Sequence, residues 1–131
     1  MEIPPDDLRP GRRLKFVWVG YWVVLFVLTH IPVEPRVPGM RHGDKILHVV
    51  AYFVLTFLGG WAASQRMRAS RLLGWAIVYA AYAAADEYLQ RFAGRSMTLG
   101  DFLADLLGIA LATAVLAANR REKTTSEAAE A

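Results

Sequence analysis

Charged and hydrogen-bonding side chains collect at the ends of segments that are otherwise strongly apolar. They fall in four short stretches of sequence: Asp44, Lys45, His48 and Tyr52; Asp86, Glu87 and Gln90; Arg95 and Ser96; and Asp101 and Asp105. Charged groups at membrane depth are costly, rarely face lipid and usually mark a functional site. We therefore expect these residues to carry whatever chemistry the protein performs.

The residue types in these stretches suit acid–base chemistry on an anionic substrate. His48 would act as the general base or general acid, oriented by Asp44 or by a carboxylate from another helix such as Glu87. Arg95 would hold a phosphate or carboxylate group. The remaining polar residues would line the substrate site: Lys45, Tyr52, Asp86, Gln90, Ser96, Asp101 and Asp105.

Other interpretations of the same residues stay open. The cluster is either a buried polar network that only holds helices together, or a binding site for a molecule of the cell envelope. A hard divalent cation such as Mg²⁺ is a further option for the carboxylates of Asp86, Glu87, Asp101 and Asp105. No spacing matches a recognised metal motif, so the sequence assigns no metal ligand and leaves the cofactor unknown.

Four long apolar blocks must position these side chains. The chain has 131 residues, of which 55% are hydrophobic, and one domain of that size cannot bury four such blocks. The blocks cover 16–33, 45–63, 72–90 and 99–118. Each has roughly 18 to 20 residues, the length needed to cross about 30 Å of hydrocarbon, where a helix satisfies its own backbone. The sequence thus predicts an all-α integral membrane bundle of four transmembrane helices within residues 14–118.

The segments between and beyond the blocks predict the orientation of the bundle. Residues 1–13 and 119–131 are polar and are predicted to be disordered tails. Ten of the 15 Lys and Arg residues lie near the two termini or between the second and third blocks. Positive charge favours the cytoplasmic side, so both termini are predicted to be cytoplasmic. The polar ends of blocks two, three and four then meet at one level near the outer face of the membrane.

Helical spacing places the polar residues of a block on one face. Asp44, His48 and Tyr52 follow one another at intervals of four residues, as do Asp101 and Asp105, and residues so spaced share a helix face. Small and polar residues of membrane helices normally face other helices. We therefore expect the polar faces of the second, third and fourth helices to pack together and to pair their charges.

Taken in order, these motifs resemble the VanZ-like family of small bacterial membrane proteins. The family pattern is D-K-x-x-H-x-x-x-Y, D-E-x-x-Q, G-R and D-x-x-x-N-x-x-G, and the matching residues are Asp44, Lys45, His48, Tyr52, Asp86, Glu87, Gln90, Gly94, Arg95, Asp101, Asp105 and Gly108. Asp105 stands where the family has Asn, and Ala93 where it often has Pro. The founding member is associated with low-level resistance to the antibiotic teicoplanin. The resemblance implies a membrane fold but does not identify a reaction. It also implies that six residues are important: Asp44, His48, Glu87, Gln90, Arg95 and Asp101.

Composition narrows the range of partners. The chain contains no cysteine, which excludes disulfides and thiolate metal sites, and its formal net charge is +3. The basic residues lie between apolar blocks, a pattern typical of membrane topology rather than of nucleic-acid binding. We expect membrane lipids and an envelope lipid or lipid-linked ligand as partners, and no nucleic acid.

The leading hypothesis is a multi-pass protein of the bacterial cytoplasmic (inner) membrane. Its outward-facing polar site would bind or mask an envelope lipid or surface molecule. One alternative is a small intramembrane enzyme acting on a phosphate-bearing or acylated envelope lipid, and another is a proton or ion pathway. The pathway ranks last because no carboxylate or histidine continues toward the predicted cytoplasmic half. The sequence leaves open whether the site is catalytic.

Overall fold

The chain folds into four long α-helices whose positions follow the predicted apolar blocks. In a computed structural model, which describes residues 10–31, 43–63, 69–94 and 98–129, the helices are α1 (Pro10–His30), α2 (Gly43–Ala62), α3 (Ala69–Gln90) and α4 (Leu99–Ala129). A single turn of 3₁₀ helix, Arg91–Ala93, follows α3, and Gly94 ends it with a φ of 77°. That backbone conformation favours a residue without Cβ. The predicted all-helical class is confirmed over the described residues.

All four helices extend beyond their predicted bounds at one end, α2 and α3 by two or three residues and α1 and α4 by more. α1 begins at Pro10 and α4 continues to Ala129, so 10–13 and 119–129 are helical where disordered tails were predicted. Proline at the first position of a helix has the required φ and needs no backbone donor there. Beyond 118 the chain is rich in Ala, Glu, Arg and Lys, which are good helix formers. Extending an existing helix also avoids the cost of nucleation.

Three of the helices are long and apolar enough to cross a membrane. They are Arg12–His30, Gly43–Ala62 and Leu99–Asn119. α3 is not among them, because its apolar stretch is rich in alanine and tyrosine and ends in Asp86 and Glu87. Large hydrophobic side chains are exposed on all four helices, for example Phe16, Ile46, Ile77 and Leu103. An apolar surface of this extent is typical of a protein that faces lipid, so the structure is that of a membrane protein.

The closest helix packing joins α2 to α4. Gly108 of α4 lies directly against the backbone of α2, where a Cβ atom would overlap the carbonyl oxygen of Val49 and the amide nitrogen of Phe53. Ala112, one turn further along α4, is fully buried. Small residues that let two backbones approach are typical of packed membrane helices. This contact brings the first turns of α2 and α4 together and so positions their polar side chains.

α1 and α3 complete the bundle through aromatic contacts. The ring of Trp22 on α1 lies 5.8 Å from that of Tyr79 and 5.0 Å from that of Tyr82, both on α3. The buried core beneath the polar cluster consists of Leu25, Tyr52, Leu55, Tyr79, Ala83 and Ile109. Every helix contributes to this core, which therefore fixes the polar ends of α2, α3 and α4 relative to one another.

Candidate functional site

The polar stretches meet at one end of the bundle, where α2 and α4 begin and α3 ends. His48 comes from α2, Glu87 from α3 and Asp105 from α4, and all three are wholly or largely buried. Asp44, His48 and Tyr52 were predicted to share one face of α2. His48 and Tyr52 face the interior of the bundle, where Tyr52 is buried, whereas Asp44 is half-exposed. The structure therefore brings three separate parts of the sequence into one cluster.

Asp86 is the most fully hydrogen-bonded carboxylate of the cluster. It is only 1% exposed. Its Oδ1 accepts from the hydroxyls of Thr29 (3.2 Å) and Tyr82 (3.4 Å). Its Oδ2 accepts from Nε2 of Gln90 (2.9 Å) and the hydroxyl of Tyr52 (3.4 Å). Donors from α1, α2 and α3 thus satisfy this buried charge, as a buried carboxylate requires, and tie the three helices together.

His48 is oriented by Asp105. Nδ1 of His48 lies 2.8 Å from Oδ1 of Asp105, a distance typical of a strong hydrogen bond to a carboxylate. Asp44, the orienting group considered first from the sequence, instead pairs with Lys45 at 3.4 Å, and its side chain is 49% exposed. The reason is geometric. Asp44 lies in the first turn of α2, at the exposed edge of the cluster, whereas Asp105 lies on α4 opposite His48.

Glu87 is buried without a hydrogen-bond partner. It is 1% exposed, and within the part of the chain that the structure describes neither of its carboxylate oxygens has a partner. Nδ1 of His48 lies 3.9 Å from Oε1 of Glu87. Oδ2 of Asp105 is likewise buried and unpartnered among the described residues. Native proteins rarely leave such groups unsatisfied.

Lys45 and Thr98 hold Asp101 at the start of α4. Nζ of Lys45 donates to Oδ1 of Asp101 at 2.9 Å, and the hydroxyl of Thr98 donates to Oδ2 at 2.5 Å. The backbone N–H of Asp101 returns a hydrogen bond to Oγ1 of Thr98 at 3.1 Å. Thr98 thus acts as the N-cap of α4, and the Asp101 carboxylate lies at the electropositive end of the helix.

The cluster as a whole is rich in acceptors and poor in cations. Five carboxylates face one lysine and two histidines among the described residues. One ligand atom each of His48, Glu87 and Asp101 lie within 4.8 Å of one another. Lys45 and Asp44 are partly exposed whereas the inner carboxylates are not, so the cluster opens toward the start of α2. Chemically, this arrangement suits hydrogen-bond donors or cations.

Two predicted site residues, Arg95 and Ser96, lie outside the residues that the structure describes. Binding of an anionic group by Arg95 therefore stays a prediction. The other predicted residues contribute to the cluster as follows: Lys45, His48, Tyr52, Asp86, Glu87, Gln90, Asp101 and Asp105 lie within it, and Asp44 lies at its outer edge.

Sequence reasoning missed three residues of the cluster. Thr29 bonds Asp86, and Tyr82 bonds it from the preceding helical turn. His30, whose depth at the end of α1 lets it join the cluster, has its Nδ1 3.8 Å from the same carboxylate. Thr98 caps α4. The spacing Thr98-x-x-Asp101 is a capping-box signature that identifies the cap, and the interval of four between Tyr82 and Asp86 identifies a shared face. Nothing in the sequence pairs Thr29 with Asp86.

No protein-family model matches the chain, and no curated protein or solved structure matches it either.

Proposed function

We propose that the chain is a VanZ-like protein of the bacterial cytoplasmic membrane whose acidic cluster binds the headgroup of an envelope lipid. It would span the membrane four times, with both termini in the cytoplasm and the cluster near the outer face. The resemblance of the ordered motifs supports the family, and the apolar exterior of the bundle supports the membrane. A link to teicoplanin resistance comes from the family resemblance alone.

The observation that carries the proposal is the pair of unsatisfied carboxylates. Glu87 and Asp105 together present three buried oxygens without a partner among the described residues. Leaving a buried polar group unpaired costs about 1–3 kcal/mol, and more for a charged one. A ligand that donates hydrogen bonds at this point removes that cost, so part of its binding free energy comes from groups that the bundle itself leaves unpaired.

The ligand class follows from the chemistry of the cluster. Carboxylates accept hydrogen bonds and attract positive charge, so a headgroup with ammonium or hydroxyl donors is favoured. Apolar side chains are exposed on the helical turns that carry the cluster. Leu47 directly precedes His48 in the sequence, and Leu103 lies two positions after Asp101. Acyl chains lying along this surface would add apolar contact. Phosphatidylethanolamine, whose ammonium group has three N–H donors, has the required features.

The charges of α3 do not prevent it from serving as the fourth span. Asp86 and Glu87 are buried by the neighbouring helices, while Leu73 and Ile77 on the same helix are exposed. Ionisable groups in membrane helices face the bundle interior. The two carboxylates of α3 thus face protein while large apolar side chains of the same helix are exposed, which supports four spans.

Lipid binding can be tested with two headgroups that differ in their donors. Phosphatidylethanolamine and phosphatidylcholine carry the same phosphate and charge, but the choline nitrogen has no N–H. We expect the purified full-length protein in micelles to show a larger increase in melting temperature with phosphatidylethanolamine. Asp105→Asn should reduce this preference, and Asp44→Asn, at the exposed edge, should retain it. Equal stabilisation by both lipids, or an undiminished preference in Asp105→Asn, would overturn the proposal.

The absence of native cysteine makes the topology directly testable. A cysteine replacing Arg36, between α1 and α2, should react with an impermeant thiol reagent added outside intact cells. One replacing Ser70, at the start of α3, should react only after the cells are opened. The reverse result would place the polar cluster on the cytoplasmic side and contradict the proposed orientation.

A catalytic role is the second candidate, and the His48–Asp105 hydrogen bond favours it. Holding one ring nitrogen through a carboxylate fixes the ring and its tautomer and leaves the other nitrogen for proton transfer. His48→Ala should then abolish turnover of an envelope lipid while the protein stays folded. Unchanged turnover in that variant would exclude the role.

A further inference from the structure

Two neighbouring carboxylates of α3 have opposite surroundings. Asp86 and Glu87 are both 1% exposed. Asp86 accepts hydrogen bonds from four side chains, whereas Glu87 has no partner for either oxygen within the described ranges. A buried carboxylate without compensation is strongly disfavoured. The burial of Asp86 is therefore explained by its hydrogen bonds within the bundle. The burial of Glu87 is explained by a ligand that pairs with its two oxygens.

Glu87 faces two further ligating side chains from other helices. One ligand atom of each of His48 on α2, Glu87 on α3 and Asp101 on α4 lie within 4.8 Å of one another. Ligands bound at about 2 Å to one tetrahedral ion lie about 3.3 Å apart. The side chains therefore need to close by at most about 1.5 Å on binding, a movement that rotation of the long glutamate side chain supplies.

His48 presents Nδ1 to the unpartnered glutamate. Nδ1 lies 3.9 Å from Oε1 of Glu87 and 2.8 Å from Oδ1 of Asp105, so Nδ1 is the ring nitrogen that faces Glu87. An ion bound there would take the place of the proton between Nδ1 and Asp105, because a ligating imidazole nitrogen must be deprotonated. Asp101 is engaged by Lys45 and Thr98, but a carboxylate has about four lone-pair sites and retains capacity for an ion.

We propose that His48, Glu87 and Asp101 form a site for a divalent transition-metal ion of the Zn²⁺ type, bound to His48 through Nδ1. One imidazole and two carboxylates supply three ligands of types that bind Zn²⁺, and three protein ligands leave its fourth position open. An imidazole ligand favours Zn²⁺ over Mg²⁺, which prefers oxygen donors alone. The ion and the proposed headgroup would compete for Glu87, and the site excludes Asp86, whose oxygens are already occupied.

The test uses Zn²⁺ alone with the chelator-treated, full-length protein in detergent micelles, without added lipid. Calorimetric titration should show one saturable site per chain. Glu87→Gln should weaken binding at least tenfold. Asp44→Asn removes a carboxylate from the exposed edge of the same cluster without touching a proposed ligand, so its affinity should stay within twofold of the parent protein. Because lipid is absent, failure here leaves the lipid-binding proposal separately testable.

Two further readouts separate ligation from a structural role. X-ray absorption at the zinc edge should show one imidazole with oxygen ligands, and His48→Ala should remove the imidazole signal. Metal-free Glu87→Gln should melt no lower than the parent, because no hydrogen bond is lost, yet it should lack the Zn²⁺-dependent rise in melting temperature. Absence of a saturable site, parent-like affinity in Glu87→Gln, or equal weakening by Asp44→Asn would each overturn the assignment.

Discussion

His48 and Asp105 are 57 positions apart in the sequence, yet Nδ1 of His48 and Oδ1 of Asp105 are 2.8 Å apart. The contact joins α2 to α4 one helical turn from Gly108, where the backbones of the two helices approach most closely. The polar pair and the glycine contact therefore depend on the same helix packing. Disturbing that packing should affect the site even where no polar residue is changed.

Gly108→Ala should destabilise the bundle. The added methyl group would overlap the backbone of α2 at Val49 and Phe53, and overpacking of this kind typically costs about 1–3 kcal/mol. The loss should be measurable as a lower free energy of unfolding in mixed detergent micelles.

Gly74→Ala is the matched control for that variant. Gly74 also lies within a helix, but a Cβ atom there would meet nothing within 4 Å. Alanine should be neutral or stabilise α3 by about 0.5–1 kcal/mol, through its higher helix propensity. If both glycine variants behave alike, close packing at Gly108 is not what limits stability.

Substitutions at Asp105 should separate its hydrogen bond from its charge. Asn keeps an acceptor oxygen for the N–H of His48, so Asp105→Asn should change the free energy of unfolding by less than about 1 kcal/mol. Asp105→Leu leaves that N–H unpaired, which should cost about 1–3 kcal/mol. Denaturant titration of the two purified variants measures the difference. A milder effect of Leu than of Asn would contradict the assigned contact.

Asp86 should be the carboxylate on which folding depends most. Asp86→Leu would remove the acceptor of Tyr52, Tyr82 and Gln90, and breaking a buried charged network typically costs about 3–5 kcal/mol. Thermal melting of the variant should show this loss or a failure to fold. Glu87→Gln, one residue along the same helix, leaves no donor unpaired and should melt no lower than the parent protein. The opposite order would show that Glu87, not Asp86, stabilises the fold.

Thr98→Ala should weaken the start of α4. It removes the hydroxyl that accepts from the N–H of Asp101 and donates to its carboxylate, and loss of such a cap typically costs about 1 kcal/mol. Thr113→Ala is the control, because among the described residues the hydroxyl of Thr113 bonds only the carbonyl of Ile109 within the same helix. Melting temperatures of the two variants give the comparison, and equal values would argue against a capping role for Thr98.

The local pattern of the sequence was enough to predict the helices and the location of the polar cluster. Apolar runs about as long as a membrane is thick predicted helices, and their charged ends predicted where polar groups would gather. The interval of four residues placed His48 and Tyr52 on one inward face. The bounds were less accurate, because α1 and α4 extend through segments that lack apolar periodicity but carry the proline start or the helix-forming residues that allow a helix to continue.

Only the tertiary structure decided which partner each charge has. Asp86 and Glu87 are adjacent in sequence, but successive residues of a helix point about 100° apart. Asp86 therefore meets Thr29 of α1, whereas Glu87 faces His48 of α2. In the same way His48 pairs with Asp105 across the bundle rather than with Asp44 one turn earlier. These pairings depend on how whole helices pack. The sequence of one helix does not determine which residues of another helix lie opposite it.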